Sequence, residues 1–177
     1  MSIIQSLSEY IITANPAGRL YVQGKLRALE AKVAIDSFTP LDCYFAAIGA
    51  IYPAGFIALG NPFGFRLFTS GAAKLAMAGK TAYWSVRDDR RCFAQIDAVG
   101  YLTVDGKETT SKVFLDPFEG ETWEVASNLS DVFKAMTAVA ASGILAKKPS
   151  HGDVLIAAAL YRNVVGANFL APWPIDK

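Results

Sequence analysis

Histidine and cysteine are scarce in this chain of 177 residues, which contains one histidine, His151, and two cysteines, Cys43 and Cys92. A structural zinc site takes four Cys or His ligands at short spacings, so no zinc site of the usual kind can be written here. Two cysteines are too few for a disulfide framework; one bridge is left open, but we expect buried thiols. His151 lies between Ser150 and Asp153. Because a Ser-His-Asp triad draws its members from separate segments, we expect a solvated histidine at a helix start.

The chain also lacks an excess of charge of either sign. It has 17 Lys and Arg residues against 16 Asp and Glu residues, which gives a formal net charge of +1 at pH 7. Proteins that bind nucleic-acid backbones usually present a basic field to the phosphates. Nothing in the composition therefore predicts a nucleic-acid partner.

Motifs for binding phosphate or calcium are missing as well. The nearest approach to a phosphate-binding loop ends in Gly79-Lys80-Thr81, but Lys74 stands where that loop requires its first glycine. The acidic segment DPFEGETWE lacks the regularly spaced oxygen ligands of a calcium loop. We predict no metal and no cofactor, and no motif assigns a catalytic residue.

One run of 23 residues without charge, from Cys43 to Phe65, is long enough to cross a bilayer. Two prolines, Pro53 and Pro62, and four glycines interrupt it, so a continuous spanning helix is disfavoured. We interpret the run as buried core, with a helix over 41–52 and a short strand over 56–60. The N-terminal residues do not show the pattern of a signal peptide either. We therefore predict no membrane association and expect a cytoplasmic protein.

Apolar periodicity predicts helices toward both ends of the chain and strands between them. The segments between residues 81 and 126 are rich in β-favouring residues and contain turn signals such as Asp105-Gly106. A C-terminal apolar tail, with Leu170 and Trp173, is expected to pack back on the core. The predicted helices cover residues 3–13, 20–33, 41–52, 129–142 and 150–166, and TSGAAKLAMAG (69–79) could form one further short helix. These features predict a single α+β domain over residues 1–177, with N-terminal helices, a central antiparallel meander of four to six strands, and C-terminal helices packed on the sheet.

Two charged segments near the predicted strands are candidates for binding a partner, although each could also be an ordinary solvated turn. The first, RDDRR, is predicted to be a hairpin tip whose mixed charges could recognise a protein surface. Its residues are Arg87, Asp88, Asp89, Arg90 and Arg91. The second, DPFEGETWE, combines carboxylates with Phe118 and Trp123, which suits the capture of a basic surface. Its acidic residues are Asp116, Glu119, Glu121 and Glu124.

Residues of about 38–137 resemble SUKH-type domains and the related immunity proteins of type VI secretion. The resemblance lies in a strand that ends in Asp (113–116), a Gly-Glu turn (120–121), a strand ending in Val-Ala (125–126) and a capped helix that begins Leu-Ser-Asp-Val-Phe (129–133). It implies a non-enzymatic α+β domain that binds and neutralises a secreted toxin, often a nuclease or another cytotoxic enzyme. The family has no catalytic residues to transfer to this chain.

The sequence leaves three functions open. The first is a binding module, an immunity protein whose sheet face and adjoining loops cover the active site of a cognate toxin. The second is a small enzyme or small-molecule-binding protein with an aromatic pocket on the sheet, in which Asp97 or Asp89 would act as acid or base. The pocket would be lined by Tyr83, Trp84, Phe93 and Tyr101. The third is a structural protein that forms an oligomer, such as a homodimer, through the apolar region Cys43–Phe65. The missing catalytic motifs favour the first.

Overall fold

The computed structural model describes residues 2–32, 38–53, 56–58, 64–78, 89–97, 99–105, 112–144 and 150–173. Within these ranges there are six α-helices and six β-strands, and a single turn of 3-10 helix (Pro16–Gly18) joins the first two helices. The helices are α1 (Ile3–Ala14), α2 (Arg19–Glu30), α3 (Pro40–Ile51), α4 (Ser70–Ala78), α5 (Leu129–Ala141) and α6 (His151–Val165). The strands are β1 (Phe56–Ala58), β2 (Phe65–Phe68), β3 (Arg90–Ile96), β4 (Gly100–Asp105), β5 (Val113–Pro117) and β6 (Trp123–Ala126).

Local capping chemistry determines where four of the helices begin. Ser2, Thr39, Asn128 and Ser150 each accept a hydrogen bond, through a side-chain oxygen, from the backbone N–H of the residue three positions later. Each bond satisfies a donor that the first helical turn would otherwise leave without a partner. At α6 the Asp153 side chain accepts in return from the Ser150 N–H, which completes a capping box.

The strands form one antiparallel meander in the order β1-β2-β3-β4-β5-β6. A bulge interrupts the pairing of β3 with β4, because Cys92 pairs with Thr103 and Ala94 with Leu102. Phe93 is therefore the extra residue in β3. As a result, Phe93 and Ala94 are both buried in the main core although they are adjacent, whereas Cys92 faces the smaller cluster.

The two faces of the sheet are covered differently. Helices α1, α3 and α5 pack on the inner face, where Tyr44 of α3 stacks on Phe133 of α5 with ring centroids 5.7 Å apart and contacts Phe93. The outer face carries only α4 among the described helices, which packs on β2 and β3 around Phe68 and Cys92. Most of the buried apolar side chains belong to the inner layer.

The C-terminal helices close the inner layer. Helix α5 packs on α1 and α6, and the Tyr161 hydroxyl of α6 donates a 3.1 Å hydrogen bond to the carbonyl of Val125 in β6. Trp173 packs against Tyr161 and is buried, as predicted for the tail. Leu170, by contrast, is 56% exposed, so the prediction that it packs on the core is wrong.

The α+β class and the predicted order of helices, strands and helices are confirmed. The uncharged run divides as expected into helix α3, which buries Tyr44, Ala47 and Ile48, and strand β1, and its last residue, Phe65, begins β2. Residues 54–55 and 59–63 lie outside the described residues. No helix among the described residues combines the length and the apolar character that crossing a membrane requires.

Candidate functional site

The first charged segment does not form the predicted turn throughout. Arg90 and Arg91 are the first residues of strand β3, where they pair with Asp105 and Val104 of β4, and only the exposed Asp89 lies in a turn. The prediction is wrong for the two arginines because the ladder to β4 continues as far as Arg90. Arg87 and Asp88 lie outside the described residues.

Both arginines use their side chains within the protein. The guanidinium of Arg90 lies over the Phe114 ring, with Cζ 3.4 Å from the ring centroid, which is a cation–π arrangement. Arg91 lies 3.3 Å from the carboxylate of Asp42 at the start of α3. These contacts give the two residues structural roles at this end of the sheet.

Asp116 lies in strand β5, as the predicted strand that ends in Asp implies, but it is only 1% exposed, so the prediction that it binds a partner is wrong. Its carboxylate accepts a 2.7 Å hydrogen bond from the Thr103 hydroxyl and a 2.6 Å hydrogen bond from the Thr122 hydroxyl. Thr103 is itself fully buried. Asp116 therefore cannot contact a partner directly, and it acts as an internal acceptor for the segments around it.

The other three acidic candidates divide into two groups. Glu119 and Glu121 are exposed in the turn formed by residues 118–122, which we term the acidic turn. Neither forms an ion pair with another described residue. Glu124 lies in β6, half-buried, and its carboxylate accepts a 2.8 Å hydrogen bond from Lys112.

The acidic turn is held at both of its ends. The backbone N–H of Phe118 donates a 2.8 Å hydrogen bond to the carbonyl of Val99, and the Phe118 ring meets Tyr101 edge-on at 5.4 Å. At the other end, the Thr122 hydroxyl is bonded to Asp116. Gly100 allows close approach here, because a Cβ at that position would lie 2.6 Å from the Pro117 Cα.

Beside this turn, one row of side chains crosses four strands of the outer face. Strand register pairs Arg66 with Gln95, Gln95 with Tyr101, and Tyr101 with Asp116. Directly paired residues share a face, so these four side chains form what we term the cross-strand row. Burial, and secondarily Cys92, raises the pKa of Tyr101, so its hydroxyl is neutral near pH 7.

The two charged segments do not form one surface. Arg90 pairs with Asp105, whereas Gly100 pairs with Pro117, which places the start of β3 and the acidic turn at opposite ends of β4. A strand of six residues spans about 17 Å at roughly 3.3 Å per step. The candidate partner-binding surface therefore comprises the acidic turn and the three half-buried members of the cross-strand row, Arg66, Gln95 and Tyr101. It includes neither the buried Asp116 nor Arg90, Arg91 and Glu124.

The aromatic pocket of the enzyme hypothesis does not form from the described residues. Phe93 belongs to the core of the inner face and Tyr101 to the outer face, while Tyr83 and Trp84 lie outside the described residues. Asp97, which was a candidate acid or base, is 40% exposed and lies 2.8 Å from the Arg66 guanidinium.

No group of three or more His, Cys, Asp or Glu side chains within the described ranges could hold a metal ion. Cys43 and Cys92 are both buried, and no disulfide joins them. The apolar region Cys43–Phe65 was the candidate oligomer interface. Its helix α3 buries one side in the main core, and Phe45 also packs against the smaller cluster of Phe68, Ala73 and Cys92.

Sequence reasoning missed Thr103 and Thr122, which hold Asp116. The one signal was alternation in β4, since Tyr101 and Thr103 alternate with the apolar Leu102 and Val104 and so share the outer face. Nothing local indicated that Thr122 returns to the same carboxylate. Comparisons of the chain with protein-family models, curated proteins and solved structures find no match.

Proposed function

We propose that this chain is a non-enzymatic protein-binding module, an immunity protein that binds and neutralises a cognate secreted bacterial toxin in the cytoplasm. The observation that carries the proposal is the acidic turn, which presents Glu119 and Glu121 to solvent on a backbone fixed by Val99 and by the buried Asp116. A turn that is ordered before binding loses less conformational entropy when the complex forms.

The chemistry of the surface indicates the kind of partner. Two exposed carboxylates attract a basic surface and accelerate encounter with it. The half-buried rings of Tyr101 and Phe118 beside them supply apolar contact area. A nuclease active site is basic because it binds phosphates, so covering such a site would fit this combination.

Inhibition requires only that the toxin surface is covered, so no reacting group is needed on this chain. The described residues support that reading, because Arg66 and Asp97 are paired with each other and the Asp116 carboxylate is bonded to two threonines. We infer that the complex is stoichiometric and that the chain turns over no substrate.

The test is affinity capture of the tagged chain from its host, read by mass spectrometry, followed by co-expression with the captured protein. We expect one secreted effector, whose toxicity the chain suppresses. The double variant Glu119→Lys/Glu121→Lys should lose capture and protection. The control, Glu124→Gln, removes a charge from the same segment at a strand position whose carboxylate is bonded to Lys112, and it should retain both. Capture of nothing, or loss of capture by the control alone, would contradict the proposal.

A further inference from the structure

Helices α3 and α4 border an apolar cleft beside strand β2. Its volume is about 670 Å³, and its lining residues include Phe45 and Gly49 of α3, Phe68 of β2, and Gly71 and Leu75 of α4. Phe68 is only 5% exposed, whereas Leu75 is 75% exposed, so the cleft extends from a buried ring to an apolar side chain at its rim. Its volume lies within the range of roughly 300–1,000 Å³ that is usual for binding pockets.

The cleft carries no charge on the described residues that line it. None of them is Asp, Glu, Lys, Arg or His, and the hydroxyls of Thr69 and Ser70 are the only polar side-chain groups in that set. A charged group placed here would lose water without gaining an opposite charge, which is unfavourable. The cleft therefore suits an uncharged, apolar group.

Two glycines keep the cleft open. A Cβ at Gly49 or at Gly71 would meet nothing within 4 Å. Both glycines line the cleft, so a side chain at either position would extend into open space there and would not displace a neighbour. A substitution can therefore fill the cleft without changing the core beneath it.

A line of aromatic rings connects the cleft to the acidic turn. Phe68, which lines the cleft, has its ring centroid 6.3 Å from that of Tyr101 in the cross-strand row. The Tyr101 ring in turn lies 5.4 Å from that of Phe118, the first residue of the acidic turn. The cleft is thus continuous with the candidate partner-binding surface, and a protein bound across that surface would reach it.

We propose that the cleft receives a bulky apolar side chain of the basic protein that the acidic turn attracts. This inference rests on the proposed function and adds the anchor of the complex to it. Interfaces bind most tightly through a few large side chains in desolvated pockets, while surrounding charges steer the encounter. Here the cleft is the pocket, and Glu119 and Glu121 are the steering charges. The partner would therefore carry an aromatic or large aliphatic residue beside its basic surface.

The first test measures the Kd between the full chain and the purified effector captured with it, by isothermal titration calorimetry. Gly49→Leu fills the cleft and should raise the Kd at least about tenfold, as the loss of an anchor does. Leu75→Ser removes apolar surface from the rim and should raise the Kd about threefold or more. Because Leu75 is exposed, this variant keeps the fold even if Gly49→Leu does not.

Helix α2, which does not line the cleft, offers a matched control for each variant. A Cβ at Gly24 would also meet nothing within 4 Å, and Leu20 is 84% exposed. Gly24→Leu and Leu20→Ser should therefore leave the Kd within about twofold of the original. Far-ultraviolet circular dichroism verifies that each variant folds.

A second test needs no effector. N-acetyl-tryptophanamide, an uncharged mimic of an anchor residue, should shift the amide NMR signals of Gly49, Gly71 and Ala72 in a saturable way. Gly49→Leu should abolish these shifts, because its side chain occupies the cleft. Glu119→Lys/Glu121→Lys should leave them unchanged, because the acidic turn does not line the cleft.

The outcomes separate this inference from the proposed function. If Glu119→Lys/Glu121→Lys loses the effector but Gly49→Leu and Leu75→Ser bind it as tightly as the original chain does, the inference fails and the proposed function stands. If no effector is captured, both fail, even where N-acetyl-tryptophanamide enters the cleft. Absence of the amide shifts, or a dimer of the chain that Leu75→Ser dissociates, would also overturn the inference.

Discussion

The Thr103 hydroxyl donates a 2.7 Å hydrogen bond to the Asp116 carboxylate, from strand β4 to strand β5 on the outer face of the sheet. The Thr122 hydroxyl completes the arrangement from the far end of the acidic turn, at 2.6 Å. One buried side chain thereby connects two strands and the turn that would meet a partner. Stability and the shape of the candidate surface are therefore coupled at Asp116.

Replacing Asp116 should destabilise the protein through these two threonines. In Asp116→Ala both hydroxyls lose their acceptor, that of Thr103 in a fully buried place, so we expect the free energy of unfolding to fall by about 1–3 kcal/mol. Asp116→Asn keeps an acceptor oxygen, so its free energy of unfolding should fall by less than that of Asp116→Ala. Urea denaturation measures both.

Glu119→Ala provides the control for Asp116→Ala, because Glu119 is exposed on the same turn and should change the free energy by no more than about 0.5 kcal/mol. A double-mutant cycle of Asp116→Ala with Thr103→Val should show a clear coupling energy. Additive effects in that cycle would mean that the hydrogen bond does not stabilise the fold.

Gly100 should not tolerate a side chain. A Cβ at this position would lie 2.6 Å from the Pro117 Cα and closer still to the Asp116 carbonyl oxygen, so Gly100→Ala must push β4 and β5 apart. We expect a loss of about 1–3 kcal/mol in the free energy of unfolding, as for other overpacked sites.

Gly49→Ala is the matched comparison for Gly100→Ala. Gly49 lies inside helix α3, and a Cβ there would meet nothing within 4 Å. Alanine forms helices more readily than glycine, so thermal denaturation of Gly49→Ala should show an increase of up to about 1 kcal/mol in the free energy of unfolding. If both substitutions act in the same direction, the close approach at Gly100 is not what determines stability there.

Helix positions could be predicted from the sequence because the determining chemistry is local. Helices α5 and α6 begin at residues 129 and 151, close to the predicted starts, since the capping side chains of Asn128 and Ser150 each bond a backbone N–H only three residues away. The meander was predicted for a similar reason, from short alternating segments separated by turn signals. Its six strands fall within the predicted range.

The candidate site could be predicted only in part, because its geometry depends on strand register. Nothing near Asp116 in the sequence shows that Thr103 of β4, which pairs with Phe114, lies within hydrogen-bond distance of the Asp116 carboxylate. Nor does it show that Thr122 bonds to the same carboxylate. The segment RDDRR likewise did not indicate that the Arg90 guanidinium would lie over the ring of Phe114, a residue of β5. Charge and turn residues indicated candidate surfaces, but pairing across strands decided which side chains reach solvent.

Two buried tyrosines should make stability fall in alkaline solution. Burial raises the pKa of Tyr44 well above its ordinary value of 10.0, with Cys92 as a secondary cause, and burial likewise raises the pKa of Tyr161. The folded chain therefore keeps these protons while the unfolded chain releases them above about pH 10. Since the folded state then binds more protons, the free energy of unfolding decreases as the pH rises.

Urea denaturation from about pH 8 to pH 11 tests this, with tyrosinate absorbance to follow ionisation. The stabilisation is complete below about pH 10 and is lost above it, by about 1.4 kcal/mol per pH unit for each buried tyrosine. Tyr161→Phe should be less stable at neutral pH, because the Val125 carbonyl loses its hydrogen bond, yet show a shallower alkaline decline. An unchanged slope in this variant would rule out Tyr161 as a contributor.

The start of helix α5 should respond to acid. Burial raises the pKa of Asp131, but hydrogen bonds and charge from Lys134, with hydrogen bonds from Asn128 and Ser127, outweigh it and lower the pKa below the ordinary value of 3.8. The lowered pKa stabilises the fold above about pH 4, and this contribution is lost as the pH falls through the folded-state value. Asp131→Asn should therefore be less stable than the original chain at neutral pH and approach it in strong acid.

Asn128→Ala separates the cap from the carboxylate. It removes the acceptor that bonds the Asp131 N–H at 2.9 Å and the donor that bonds the Asp131 carboxylate at 2.6 Å. We expect the free energy of unfolding to fall by about 1 kcal/mol, the usual cost of losing an N-cap side chain. The part of this loss that comes from the bond to the backbone N–H persists in acid. Thermal denaturation from about pH 2 to pH 7 distinguishes the two parts. A loss that vanishes entirely at the acid end would show that Asn128 acts only through the Asp131 carboxylate.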